Sequence, residues 1–214
     1  MCLQRSKKKS EPSEDDYKPL FISIIAFHKE HRRTGPRSYE TQQQYLANRK
    51  RGAHILKILK EQGVYPHADL FFTSGLRRAD ETCELLYGSV DRKVIPDLSE
   101  FRFGLFEMKK HEELELRDDY QAWISDQSGD AACPGGESRQ LFNKRVKRGY
   151  RAIVSTIRDS GVDSALVVCH GGVIVCIMEH LFPDKRDFYE WQPEPGHGYS
   201  IKLEPDGTSA YTEI

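Results

Sequence analysis

The stretch ALVVCHGGVIVCIM, residues 165–178, joins two apolar runs through one histidine and two glycines. The first run, residues 165–169, is short and rich in β-branched residues, which is typical of a strand that is buried on both faces. His170, Gly171 and Gly172 then form a polar break that opens into a helix. A buried strand, a polar loop and a helix in succession form the repeating unit of an α/β fold.

The same alternation extends towards both ends of the chain. Continuous apolar runs predict two further strands at residues 21–27 and 70–73. Helical spacing of apolar residues predicts helices at 46–61, 75–87 and 138–158, and turn residues around Asp206 predict a hairpin within 199–214. Ser138 is the expected N-cap of the third helix. We therefore predict an α/β fold of the three-layer sandwich type, with a mainly parallel central sheet and helices on both faces.

Composition limits the classes of protein that this chain can be. Its 214 residues carry a formal net charge of -1, so nothing in the overall charge calls for nucleic acid or an anionic membrane. The apolar runs are shorter than the ~20 residues that a membrane span needs. Five cysteines without a CxxC pair are typical of reduced thiols in a cytoplasmic protein. Residues 1–19 are predicted to be a disordered charged tail, and residues 20–214 one domain.

Cationic residues follow each of the predicted parallel strands. His28 follows the first strand, Arg77 and Arg78 follow the second, and His170 follows the third. Ligands of open α/β sheets bind outside the carboxyl ends of the strands, so these loops are expected to meet at one site. Imidazole, guanidinium and helix N-termini together favour an anion, and a phosphate group suits them best.

Four segments resemble motifs of the histidine phosphatase superfamily, which is also called phosphoglycerate mutase-like. They are TSGLRRADETCELL at 73–86, LSEFRFGLFEM at 98–108, CPGGESRQLFNKRV at 133–146 and ALVVCHGGVI at 165–174. Each motif is weak when taken alone, but the four occur in the family's order and at similar spacing. The residues in these motifs most resemble those of the small-metabolite phosphatases of the superfamily, including α-ribazole phosphatases.

The resemblance implies a phosphomonoesterase that acts on a small phosphorylated metabolite through a phosphohistidine, without a metal or another cofactor. It places the nucleophile on His28, the general acid on Glu100, and the phosphate-binding groups on Arg78 and His170. The expected substrate-binding residues are Lys29, Arg32, Gly171 and Ser138. It gives no indication of a nucleic-acid or membrane partner, and the oligomeric state stays open.

The first motif departs from the family pattern of Arg-His-Gly, because Phe27 and Lys29 flank His28. Little of residues 29–50 resembles the family, which indicates either divergence or a local change of reading frame. A second hypothesis follows, in which the chain is a catalytically impaired pseudo-phosphatase that binds a phosphorylated ligand. A third hypothesis is a metal site built from His28, His31 and His170, although these residues lack the spacing of a dedicated ligand set.

Several candidate residues also have a purely structural interpretation. Arg77 is expected to be a solvated helix residue, and the basic run at residues 144–148 a solvated helix face from which Arg145 could reach the crevice. Glu100 could form an ordinary surface ion pair with Arg102 or a nearby lysine. Cys169 is expected in the core rather than as a nucleophile.

Overall fold

A six-stranded mixed sheet forms the centre of the fold, which the computed structural model describes for residues 18–26, 51–183 and 185–214. The strands are β1 (Leu20–Ala26), β2 (Leu70–Thr73), β3 (Arg92–Val94), β4 (Ser164–Cys169), β5 (Gly198–Leu203) and β6 (Ser209–Glu213). Their order across the sheet is β3-β2-β4-β1-β5-β6. The first four in this order are mutually parallel, whereas β5 pairs antiparallel with β1 and β6. The predicted sheet and the terminal hairpin are confirmed.

The helices follow the predicted alternation. They are α1 (residues 51–61), α2 (Arg77–Tyr87), α3 (His111–Leu114), α4 (Asp118–Ser125), α5 (Arg139–Ser160) and α6 (Gly171–Leu181). Residues 46–50 of the first predicted helix and most of the predicted tail, residues 1–17, lie outside the described residues. Along the ranges that the structure describes, no helix has the length and apolar character needed to span a bilayer.

Helix α2 begins two residues later than predicted, because the chain turns sharply after β2. Gly75 has a φ of 77°, and Leu76 is extended and serves as the N-cap residue. A positive φ is accessible to glycine at little cost, so Gly75 allows the turn that separates strand from helix. The turn therefore places Arg77 and Arg78 in the first turn of α2 rather than farther along the helix.

Apolar side chains on alternate sides of the strands build two cores. Ile24 and Val167 belong to a core that includes residues of α5 and α6, whereas Ile25 and Val168 pack with residues of α1 and α2. Successive strand residues point to opposite faces, so strands covered on both faces become continuous apolar runs. The predicted three-layer arrangement, with helices on both faces, is confirmed.

Helix α5 packs against the segment that follows β3 and leads to Glu100. Ser138 caps it as predicted, since its hydroxyl accepts the amide of Leu141 at 3.2 Å. Leu141 itself is exposed, because its position faces away from the sheet. Gly149 lets the 3-10 helix Pro96–Leu98 approach closely, since a Cβ there would lie 2.9 Å from the Asp97 Cβ. This packing fixes the segment that ends at Glu100.

Candidate active site

The loops after β2 and β4 meet at one edge of the sheet. Ala26 of β1 is in register with Cys169 of β4, and Thr73 of β2 is in register with Val168. The three strands are parallel neighbours in the order β2-β4-β1, so their carboxyl ends finish side by side. The predicted site residues that follow β1, namely His28, Lys29 and Arg32, lie outside the described residues.

His170 is buried between the end of β4 and the start of α6. Its Nε2 atom lies 2.8 Å from the hydroxyl of Ser74, and the amide of Leu76 donates to that same hydroxyl at 3.3 Å. The turn after β2 therefore holds the imidazole of His170 in place. Because the Ser74 hydroxyl can donate or accept, the tautomer of His170 decides the direction of their bond.

Glu100 lies against the first turn of α6. A Cβ added at Gly172 would be 2.7 Å from the Glu100 Oε1 atom, so the absence of a side chain at that glycine leaves room for the carboxylate. The same oxygen accepts the amide of Phe101 at 2.9 Å. Two predicted catalytic residues, Glu100 and His170, are thus brought to the same helix terminus.

Arg78 is partly buried in the first turn of α2, four residues after Ser74. The guanidinium is therefore on the helix that begins beside His170. Its neighbour Arg77 is 84% exposed and pairs with Glu81 one turn along, at 2.6 Å. The prediction that Arg77 is a solvated helix residue is confirmed.

Arg145 is not part of a solvated face, which corrects the structural interpretation of its basic run. All five N–H donors of its guanidinium are used. Two donate to the carboxylate of Glu137 at 2.6 and 2.9 Å, and three donate to the backbone carbonyls of Asp97, Ser99 and Glu100 at 2.6–3.0 Å. Arg145 therefore binds the segment that carries Glu100 to helix α5.

Glu137 is the acidic partner that holds Arg145, and only 1% of its side chain is exposed. Burial alone would raise the pKa of Glu137, but hydrogen bonds from Arg145 and from the Arg102 amide hold the pKa below its ordinary value. Arg102 also places its guanidinium 3.5 Å from this carboxylate. Sequence reasoning did not identify Glu137 as a site residue. The sequence feature that could have identified the pair is its spacing. Glu137 precedes Arg145 by eight residues, and Arg145 lies on the same face of helix α5 as the buried residues Phe142 and Gly149.

The remaining predicted residues differ in their surroundings. Ser138 is 3% exposed, and its hydroxyl is the α5 cap described above. Gly171 is the first residue of α6, where the side-chain amide of Gln192 packs directly against its backbone. Cys169 is fully buried, and burial raises the pKa of its thiol, so the prediction of a core residue is confirmed. Within the described ranges, no group of three metal-ligating side chains occurs; His28 and His31 lie outside them.

A cleft of about 620 Å³ opens beside Glu100 and the start of α6. Aromatic side chains form much of its wall, and the polar and charged groups come from Glu100, Arg139, Asn143, Glu179 and Gln192. The aromatic residues are Phe101, Phe103, Trp123, Phe142, Phe188 and Tyr189. Phe101 contacts Phe103, Trp123 and Phe142 at ring-centroid distances of 4.7–6.2 Å, so one wall is a continuous aromatic surface. The cleft can hold a group attached to a phosphate bound near His170.

Comparison with known families gives a match over most of the chain. A profile of the Histidine phosphatase superfamily (branch 1) matches residues 37–211, a range that begins after His28. Adenosylcobalamin/alpha-ribazole phosphatase of Escherichia coli is 34% identical over 117 residues, and that of Salmonella typhimurium is 32% identical. These matches cover 53% of this chain and 56% of each relative, so the chain aligns with about half the length of the curated relatives.

Solved structures share the fold at lower identity. The alpha-ribazole phosphatase of Shigella flexneri superposes with a TM-score of 0.70 at 20% identity, covering 91% of this chain and 96% of that chain. A phosphoglycerate mutase from Bacillus anthracis gives a TM-score of 0.64 at 18% identity, covering 94% and 95%. The phosphoglycerate mutase-like architecture that the motifs imply is therefore confirmed.

Proposed function

Because this chain belongs to the histidine phosphatase superfamily (branch 1), we propose that it hydrolyses a small phosphomonoester. One arrangement carries the proposal: buried His170, fixed by Ser74, stands at the start of α6, where the Glu100 carboxylate lies against Gly172. An imidazole and a carboxyl group at a helix N-terminus can bind a phosphate and supply a proton. The cleft beside them has room for the leaving group.

The proposed reaction has two displacements. His28 attacks phosphorus, the bond from phosphorus to the ester oxygen breaks, and Glu100 gives its proton to the departing oxygen. Water then attacks the phosphohistidine while Glu100 accepts a proton from it, which releases inorganic phosphate and restores His28. Arg78 and His170 bind the equatorial oxygens in both steps. No divalent metal has a role in this scheme.

Further substrate contacts in the proposal come from Lys29, Arg32 and Gly171. Gly171 offers a backbone amide at the start of α6, where the helix dipole favours an anion. Ser138 lies at the start of α5, and its contribution is the position of that helix. Lys29 and Arg32 add positive charge close to His28 in the sequence.

For the substrate, we propose a phosphorylated metabolite with a planar apolar part, as in α-ribazole phosphate. The curated relatives are named as adenosylcobalamin/alpha-ribazole phosphatases. Independently, the aromatic wall of Phe101, Phe103 and Trp123 offers faces for stacking on a planar ring. A small triose leaving group would leave much of this wall uncovered.

A second candidate function is phosphate-ester binding without efficient turnover. It is favoured by Phe27 and Lys29, which replace the arginine and glycine of the family's first motif, and by a family match that starts only at residue 37. Without an arginine beside the nucleophile, one donor for the transition-state charge is missing. Loss of one such donor typically lowers kcat by ~10² to 10³.

The decisive experiment is turnover of p-nitrophenyl phosphate with and without EDTA, combined with trapping of acid-labile phosphate on the protein. We expect turnover that EDTA does not change, and loss of both turnover and trapped phosphate in a folded His28→Ala variant. Full activity in His28→Ala would refute the phosphohistidine scheme. Tight binding of the ester with no turnover in the wild type would favour the second candidate.

A further inference from the structure

Gln192 is presented to the cleft by a rigid segment. The preceding residue, Trp191, is fully buried, and its ring meets those of Tyr199 and Tyr211 edge to face at 5.5 and 5.2 Å. The Tyr199 hydroxyl donates to the Trp191 carbonyl at 3.2 Å, and the Arg186 guanidinium stacks on the Trp191 ring at 5.0 Å. These contacts fix the backbone from which the Gln192 side chain projects.

The amide group of Gln192 lies against the first residue of α6. A Cβ added at Gly171 would be 1.9 Å from the Gln192 Nε2 atom and 3.3 Å from its Oε1 atom. The neighbouring glycine, Gly172, is the residue against which the Glu100 carboxylate lies. Gln192 and Glu100 therefore stand beside two consecutive residues, and both line the same cleft.

The Gln192 backbone amide donates to the Tyr189 carbonyl at 3.2 Å, but the side-chain amide makes no hydrogen bond within the described part of the chain. A partly buried amide that keeps its donors and acceptor unused within the protein is suited to a ligand. An amide is uncharged and both donates and accepts, so it suits a hydroxyl group better than a phosphate, which cationic donors bind more strongly.

From this geometry we infer that Gln192 is a specificity residue that binds a hydroxyl group of the substrate's leaving group. The inference rests on the proposed function, since Glu100 must meet the ester oxygen if it is to protonate it. A leaving group whose first atom is at Glu100 has its next atoms within reach of the adjacent amide. A sugar-like segment with hydroxyls near the ester oxygen would occupy this position, and an aromatic ring beyond it would meet the wall of Phe101 and Trp123.

The test compares the dissociation constants of two phosphomonoesters, measured by calorimetry. Ribose 5-phosphate has hydroxyl groups on its leaving group, whereas phenyl phosphate has none. Gln192→Leu removes the amide at nearly constant size, and Gln62→Leu, the same change at an exposed position after α1, is the matched control. We expect Gln192→Leu to weaken ribose 5-phosphate binding by about three- to tenfold, the range for one neutral hydrogen bond, and to leave phenyl phosphate unchanged.

Equal weakening of both ligands, or no weakening of either, would overturn the assignment of Gln192. Failure of the wild type to bind ribose 5-phosphate would overturn it as well. These measurements need no turnover, so the proposed function is judged separately by hydrolysis of p-nitrophenyl phosphate. A second variant, Gly171→Ala, is expected to push the amide aside and to reduce ribose 5-phosphate binding to a similar extent. Combined with Gln192→Leu, it should then have little additional effect on that binding.

Discussion

Replacing Arg145 by methionine tests whether the guanidinium organises the segment that carries Glu100. Methionine keeps much of the length of the side chain but removes five N–H donors, of which two bind the Glu137 carboxylate and three bind backbone carbonyls. Glu137 is 1% exposed, so among the described residues its carboxylate would keep the Arg102 amide and the more distant Arg102 guanidinium as its partners. Breaking a buried ion pair in this way costs about 3–5 kcal/mol.

The expected loss is large compared with total stability, which is about 5–15 kcal/mol for a typical domain. For a chain of this size it corresponds to a fall in Tm of about 6–20 °C. The matched control is Arg148→Met, one turn farther along α5. Arg148 also binds a carboxylate with two donors, at 2.6 and 2.7 Å from Asp97, but 66% of its side chain is exposed. Because water screens an exposed ion pair, the control should be clearly less destabilising than Arg145→Met.

The assay is urea unfolding followed by circular dichroism, on Arg145→Met, Arg148→Met and the double variant Arg145→Met with Glu137→Gln. A neutral amide in place of the Glu137 carboxylate would remove the stranded charge, so the two changes should be non-additive by about 1–3 kcal/mol. If Arg145→Met were no more destabilising than Arg148→Met, the reasoning from burial and donor count would be wrong.

Three further outcomes are expected. Gly172→Ala should displace the Glu100 carboxylate and lower kcat more for an alkyl phosphate than for p-nitrophenyl phosphate, whose leaving group needs no proton; equal losses would contradict a role for Glu100 as the acid. The pKa of Glu137 is lower in the folded than in the unfolded state, so its contribution to stability is present near neutral pH and declines as the pH falls below the unfolded value, which urea unfolding at several pH values would measure. Phe27→Arg with Lys29→Gly should raise kcat towards a small phosphomonoester by up to ~10²-fold, and an unchanged rate in a folded variant would show that these positions do not limit turnover.

Much of the fold was predictable because buried strands and capped helices leave local signals. The run at residues 165–169 became β4, and Ser138 became the cap of α5. The start of α2 was missed by two residues because the backbone turn at Gly75 outweighs the apolar character of Leu76. Local sequence patterns predict buried strands and helix caps well. A change of backbone direction is indicated in the sequence by no more than one glycine, here Gly75.

The site was predictable in part, for a related reason. Glu100 and His170 could be proposed because each lies within a recognisable motif, and the structure brings them to one helix terminus. Arg145 was expected on a solvated face or reaching into the crevice, because a basic run on a helix usually faces solvent. Its actual acceptors, the Glu137 carboxylate and three backbone carbonyls, lie before helix α5. Gln192 gave no signal, since its role depends on a tertiary contact with Gly171.

The strand order has a consequence for how the chain acquires its structure during synthesis. Strand β4 lies between β1 and β2, so neither of these two earlier strands has its main parallel partner until residue 169 has left the ribosome. The backbone N–H and C=O groups on these edges of β1 and β2 stay without their β4 partner while roughly 100 residues are added after β2, about 5–20 s at typical rates of elongation. Premature termination before β4 would release a chain with both edges open to pairing with other chains. Within the described part of the molecule, the centre of the sheet is therefore one of the last regions that can form.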